Sequence, residues 1–314
     1  MFTERSTGTG RAARYSIYLT LAFALLACSG RQESWQTTTA ATQADVAEAD
    51  TSEGPSPLQI KRDEAQAAWE TRGDEASLRK AIAAWKEIVE SAPGDNAAWT
   101  SLSRAYYLLA DGHVRFQEDP DDKMLAIFEK SVTAAERALS ALSPEFAKLM
   151  ADDKRIEDAV GMLDKSAVAA LYWRSSSLGK WASMKGFLTL LSKKDEIKAV
   201  MEHCLQSDPE FFYQGPDRYF GVYFARAPAF AGGDLDKSRA HFDKSLAAQP
   251  NYFGTRVLMA QDLAKKLQDR GLFEEQLKLV IEGDPDLLPG AEPENAIEQR
   301  KAKLLLEQAD EFFE

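Results

Sequence analysis

From about Leu58 to the C terminus, apolar residues recur at three- and four-residue spacing, and no strand-like alternation interrupts them. That periodicity predicts helix after helix, hence an all-α fold. Prolines fall where these patterns stop: Pro93, Pro144, Pro209, Pro250 and Pro285. Such recurrence invites comparison with the tetratricopeptide repeat (TPR), a helix pair of about 34 residues closing on proline. Counting back from Pro93, Ala81, Trp85 and Ile88 take the small, aromatic and apolar positions of a second helix; counting on, Trp99, Leu102, Ser103 and Tyr106 take those of the next first helix. Later units match more loosely. Pro209 sets Trp181 and Met201 in register, Pro250 sets Ser238, Phe242 and Ser245, and Arg104 to Ser131 carries extra length around Asp119-Pro120-Asp121-Asp122. The pattern predicts a degenerate TPR-like helical-repeat solenoid over 58–314, with an insertion and an amphipathic last helix from Ala296 to Phe313.

Within it, Tyr213 to Pro250 predicts a sharply punctuated helix pair. Pro216 suits the first turn of one helix, and Ala227-Pro228 ends it, because a residue before proline resists right-handed helical geometry. Gly232-Gly233 forms a hinge, and Asp234 caps a second helix with Leu235, Phe242 and Leu246 facing inward.

The first residues follow another logic. Arg5, Arg11 and Arg14 precede an apolar run from about Tyr15 to Ala27, the order of an export signal and short for a membrane span. The run ends Leu25-Leu26-Ala27-Cys28, which resembles the lipobox of bacterial lipoproteins. That resemblance makes 1–27 a signal peptide and Cys28 the lipidated first residue of the mature chain, with Ser29 favouring outer-membrane sorting. Each buried acyl CH₂ contributes roughly 0.8 kcal/mol, so two or three chains anchor stably. Residues 28–57, rich in Thr, Ala, Asp and Glu, then form a flexible tether.

Composition narrows the chemistry. A net charge of -12 among 314 residues disfavours nucleic acid and anionic lipid as partners of a basic surface. With Cys28 acylated, Cys204 has no partner, so packing alone holds the fold. His113, His203 and His241 lie in different units without metal-ligand spacing, and no catalytic triad, phosphate loop or dinucleotide fingerprint occurs. No enzyme activity, metal or cofactor is expected. Aromatic residues are denser: Tyr172, Trp173 and Trp181 share one segment, and Tyr213, Tyr219, Phe220, Tyr223 and Phe224 crowd another. They either fill a core or line a passage. Arg218 and Arg226 share a helical face there, open to a ligand carboxylate or to neighbours such as Asp217 and Asp234.

At these residues the chain resembles the T-component family of TRAP transporters, TPR-like periplasmic lipoproteins. The matching pieces are Ala170-Leu171-Tyr172-Trp173 with Gly179-Lys180-Trp181, Gly215-Pro216-Asp217-Arg218-Tyr219-Phe220-Gly221, Pro228 to Ser238, His241-Phe242 and Pro250-Asn251-Tyr252. Their order and spacing carry the likeness, from roughly Ala81 to Val280; Pro228-Ala229 replaces a frequent Pro-Gly. The resemblance implies a homotrimer whose protomers each have a pore or cleft and associate with the substrate-binding P component of a tripartite uptake system. Apolar or amphipathic organic acids would be the ligands. Tyr172, Trp173, Trp181, Tyr213, Tyr219, Tyr223 and Phe230 would line the passage, and Arg218 or Arg226 would meet a carboxylate. The competing reading is a TPR scaffold lipoprotein for outer-membrane or envelope assembly, holding polypeptides on the same surface.

Overall fold

A computed structural model describes residues 31, 33–37 and 55–313. The chain divides into two units, Met1–Gln32 and Glu33–Glu314, and the helical body is the second. The export signal and Cys28 lie outside the described residues.

The described residues form helices and no strand, as the periodicity predicts. α1 (Pro57–Glu70), α2 (Glu75–Ser91) and α3 (Asn96–Leu108) each start on a side-chain cap, in which Ser56, Asp74 and Asp95 accept backbone N–H groups of the first turn. α4 (Asp121–Leu142), α5 (Pro144–Ala151) and α6 (Ile156–Ala159) follow, then the long α7 (Val168–Lys185) and α8 (Phe187–Ser207). α9 (Phe211–Arg226) and α10 (Leu235–Ala248) are the helix pair expected between Tyr213 and Pro250. α11 (Phe253–Leu258), α12 (Lys265–Leu267), α13 (Arg270–Glu282), α14 (Glu292–Glu307) and α15 (Ala309–Phe312) complete the chain.

Neighbouring helices bury the small and apolar positions read from the pattern. Ala81, Trp85, Ile88, Leu102 and Ser103 are all buried. Where α3, α4 and α7 cross, the Ser131 hydroxyl donates to the Ser103 carbonyl at 2.7 Å and meets Ser177 Oγ at 2.6 Å. Serines there let helix backbones approach closely while satisfying their own polar atoms. Cys204 is another buried small residue, its thiol pushed up to about 12 chiefly by burial.

The α9–α10 contact uses the same device. A Cβ on Gly221 would stand 2.8 Å from the Phe242 ring, and Ser238 Oγ donates to the Gly221 carbonyl at 2.7 Å. Gly232 takes the left-handed conformation at φ 93, and the Asp234 carboxylate accepts the N–H groups of Asp236 and Lys237. The fully buried residues of α10 are Ser238, Phe242 and Ser245; Leu235 and Leu246 are only partly buried. The inward face therefore centres on Phe242 flanked by two serines, with the two leucines at its edges.

Two further features depart from the simplest reading. The extra length after α3 is only partly at the surface: Asp119, Asp121 and Asp122 are exposed, but Leu109–His113 continue as a wide turn with all five residues buried, and His113 Nε2 donates to the Arg72 carbonyl at 3.0 Å. Inside the span 28–57 assigned to the tether, Trp35 is only 2% exposed. Its indole packs edge-on to Phe146 and lies under the Arg174 guanidinium, 4.9 Å from the ring centre, while the Ser34 N–H donates to Glu136 Oε2 at 2.8 Å. A tryptophan amid small polar residues carries enough apolar area to dock such a segment.

α14 packs on α11 and α13 and also reaches the α1–α2 turn, where Arg72 Nη2 lies 2.7 Å from Glu294 Oε2. That return contact, between residues far apart in sequence, holds Glu294, which lines a cavity among the helices.

Candidate functional site

A cavity of about 250 Å³ lies among α3, α7, α8, α9, α11 and α14. It is just below the usual small-ligand range, which starts near 300 Å³. Apolar side chains dominate its wall, including Tyr107, Trp173, Leu190, Ile197, Phe212, Val222 and Ile297. Phe187 at the start of α8 is 56% exposed while lining the cavity, so one border of the cavity is an apolar surface.

Seven arginines and lysines line this cavity against three acids, in a chain of net charge -12. Most of these cations are already paired with an acid. Lys180 and Lys301 hold Asp111 at 2.9 and 2.5 Å, with Arg115 at 3.7 Å. Burial opposes ionisation of Asp111, but these three cations outweigh it and keep the carboxyl well below the usual carboxylate range. Arg226 Nε donates to Asp262 Oδ1 at 2.6 Å, and Arg104 Nη2 reaches Glu294 Oε1 at 3.1 Å. Lys194 pairs with the adjacent Asp195.

Arg218 differs. It is 4% exposed, and among the described residues no carboxylate pairs with it. Its Nη1 donates to the Tyr213 carbonyl at 2.8 Å; Nη2 donates to the Phe212 carbonyl at 3.0 Å and to the Tyr172 hydroxyl at 3.3 Å. The guanidinium also stands over the Tyr252 ring, 4.4 Å from its centre. Neutral oxygens and π faces thus hold a full buried charge, which a carboxylate would neutralise.

The segment gripped by Arg218 is unusual. Phe212, Tyr213 and Gln214 have φ of 46, 56 and 61, one left-handed turn made without glycine. The right-handed part of α9 begins after it, which leaves Pro216 in its first turn, where no N–H is needed. Ring contacts back the turn: Phe212 lies 4.7 Å from Trp173, and Tyr213 stacks on Tyr252 at 5.0 Å.

Of the residues singled out in the sequence, Tyr172, Trp173, Arg218, Tyr219, Tyr223 and Arg226 come together on the cavity wall. Trp181 is buried in the core that α7 shares with α3 and α4, off the wall. Tyr213 lies behind the wall, stacked on Tyr252, and Phe230 is 81% exposed beside Ala231, which does line the cavity. Cys28 lies outside the described residues. Neither arginine takes the neighbouring acids named as partners: Arg226 pairs with Asp262, whereas Asp217 is held by His241 at 2.9 Å and Lys244 at 2.8 Å, and Asp234 by Lys237. The sequence reading missed Arg104, Asp111, Phe212 and Lys301, which stand far apart in the chain and in no shared motif. It also left Lys180 and Tyr252 unassigned, although both fall in motif pieces it quoted.

No helix among the described residues is long and apolar enough to cross a membrane. A family model described as the TRAP transporter T-component matches residues 88–313, from the end of α2 to the last described residue. No curated protein matches the chain. The family match spans most of the chain and includes every element that lines the cavity, so the chain belongs to the TRAP transporter T-component family, accessory extracytoplasmic parts of a transporter.

Proposed function

We propose that this chain is a lipid-anchored, non-enzymatic partner of the solute-binding P component, and that its cavity takes an apolar ligand bearing a carboxylate. Residues 1–27 act as the export signal, and Cys28 is acylated and holds the protein at the periplasmic face of the outer membrane. The helical body from residue 58, built on degenerate TPR-like repeats, assembles as a homotrimer. Family membership supports the accessory role. The observation that carries the ligand reading is Arg218, a buried cation without an acidic partner among the described residues, on the wall of a largely apolar cavity.

Arg226 is the weaker candidate for the carboxylate, because Asp262 already neutralises it at 2.6 Å. Crosslinking in intact cells followed by mass spectrometry tests the proposal. Recovery of a periplasmic solute-binding protein is the expected result. Recovery of barrel-assembly or cell-wall proteins instead would favour the envelope scaffold and overturn the transport role. Cys28→Ala should move the protein from the membrane to the soluble fraction.

A further inference from the structure

Three arginines and one acid meet at the Phe212 end of the cavity. Arg72 grips Glu294 with two parallel bonds, Nε to Oε1 at 3.0 Å and Nη2 to Oε2 at 2.7 Å. Arg104 shares this acid, touching it through Nη2 alone at 3.1 Å. Arg104 and Arg218 face the same Phe212 ring, 5.1 and 5.6 Å from its centre, so both charges belong to one end of the cavity. One carboxylate among three guanidiniums leaves that end with a net positive charge, and Arg218 without an acid.

Arg104 adds a second, independent sign. Its Nε is buried and has no hydrogen-bond partner, although the residue lines the cavity. Aromatic rings surround the rest of the guanidinium, with Trp69 at 4.7 Å and Trp173 at 5.7 Å. Burial is the largest influence on Arg104 and draws its pKa below the ordinary arginine value, with Glu294 only partly offsetting it. A buried N–H donor left without an acceptor is destabilising, so a ligand oxygen placed there would be favoured.

We infer that this end is a two-point acid site: Arg218 seats one carboxylate, and Arg104 Nε takes an oxygen of a second acidic group close to it in the ligand. The preferred class is then an apolar molecule with two neighbouring carboxylates at one end, its tail running along Leu190, Ile197 and Val222. A single carboxylate on Arg218 would leave Arg104 Nε without an acceptor. This rests on the ligand reading proposed above and narrows it.

Calorimetric titration of the mature protein with two probes of equal tail, dodecanoate and decylsuccinate, which is dodecanoate carrying a CH₂COO⁻ group on its α carbon, tests it at a pH where both diacid groups are ionised. One added charge-assisted hydrogen bond predicts that the wild type binds the diacid about tenfold to a hundredfold more tightly. Arg104→Gln should erase most of that preference, weakening the diacid about tenfold more than it weakens dodecanoate. Equal affinity of the wild type for both probes overturns the two-point site while sparing the cavity as a ligand site. If neither probe binds, both readings fail. The wild-type comparison decides the question even if Arg104→Gln does not fold.

Discussion

Arg218 holds Phe212 twice: its Nη2 donates to the Phe212 carbonyl at 3.0 Å, and its guanidinium stands 5.6 Å from the centre of that residue's ring. The double grip fixes a backbone conformation that the sequence disfavours. Each left-handed L-residue costs roughly 1–2 kcal/mol, and three stand in succession from Phe212 to Gln214. The arginine's charged bonds to two carbonyls and the stacking of Tyr213 on Tyr252 offset that cost. The same strained turn thus places an uncompensated cation at the cavity.

Gln214 gives a test by sign. Gln214→Gly and Gln214→Ala both lose the side chain and differ in the left-handed penalty. The glycine variant should be the more stable by about 1 kcal/mol, whereas in a right-handed helix alanine leads by about the same amount. Chemical denaturation of both variants checks the order.

Trp35 separates a docked segment from a free tether. Truncating a packed aromatic to alanine costs about 3–5 kcal/mol, whereas a surface change away from contacts stays within about 0.5 kcal/mol. Trp35→Ala should therefore lower the melting temperature by roughly 6–20 °C for a domain of this size. Arg174 should share the effect, since its guanidinium lies over Trp35 and joins Glu136 at 3.3 Å and Glu196 at 2.5 Å.

Asp111 ties one end of the cavity to pH. Its folded pKa lies well below the unfolded value of about 3.9, because Lys180, Lys301 and Arg115 outweigh its burial. The unfolded chain therefore takes up the proton first as pH falls. Stability from this group is full above about pH 5 and declines from about pH 4 downward toward the folded pKa. Asp111→Asn should be less stable at neutral pH by about 3–5 kcal/mol, as expected on removing one partner of a buried ion pair. The gap to wild type should narrow as the pH drops through that window, followed by denaturation at several pH values.

Much of the fold was legible because it is local. The all-α pattern, the Asp234 cap, the end of α9 at Ala227-Pro228 and the burial of Ala81, Trp85 and Ile88 all follow from spacing and cap chemistry. The site was half legible. Tyr172, Trp173, Arg218 and Tyr219 stood out as clustered aromatics with a cation, but Trp181, in the same cluster, turned into the core. Helical spacing says which residues share a face, not which face meets a cavity. Charge balance was invisible: the partners Arg226–Asp262 and Lys301–Asp111 lie in different helices, and only the fold shows which cation is left without an acid. Trp35 was hidden by its polar neighbours, and no local rule gives three left-handed residues without glycine.

Titration with dodecanoate across three forms of the protein tests the central claim most directly. Arg218→Gln should weaken binding about tenfold to a hundredfold, the loss of one charge-assisted contact in a buried site. Replacing Arg226 and Asp262 together by glutamine and asparagine, which removes a matched pair, should leave the affinity within about threefold of wild type. Circular dichroism confirms that each form is folded. Unchanged affinity in Arg218→Gln would contradict the account.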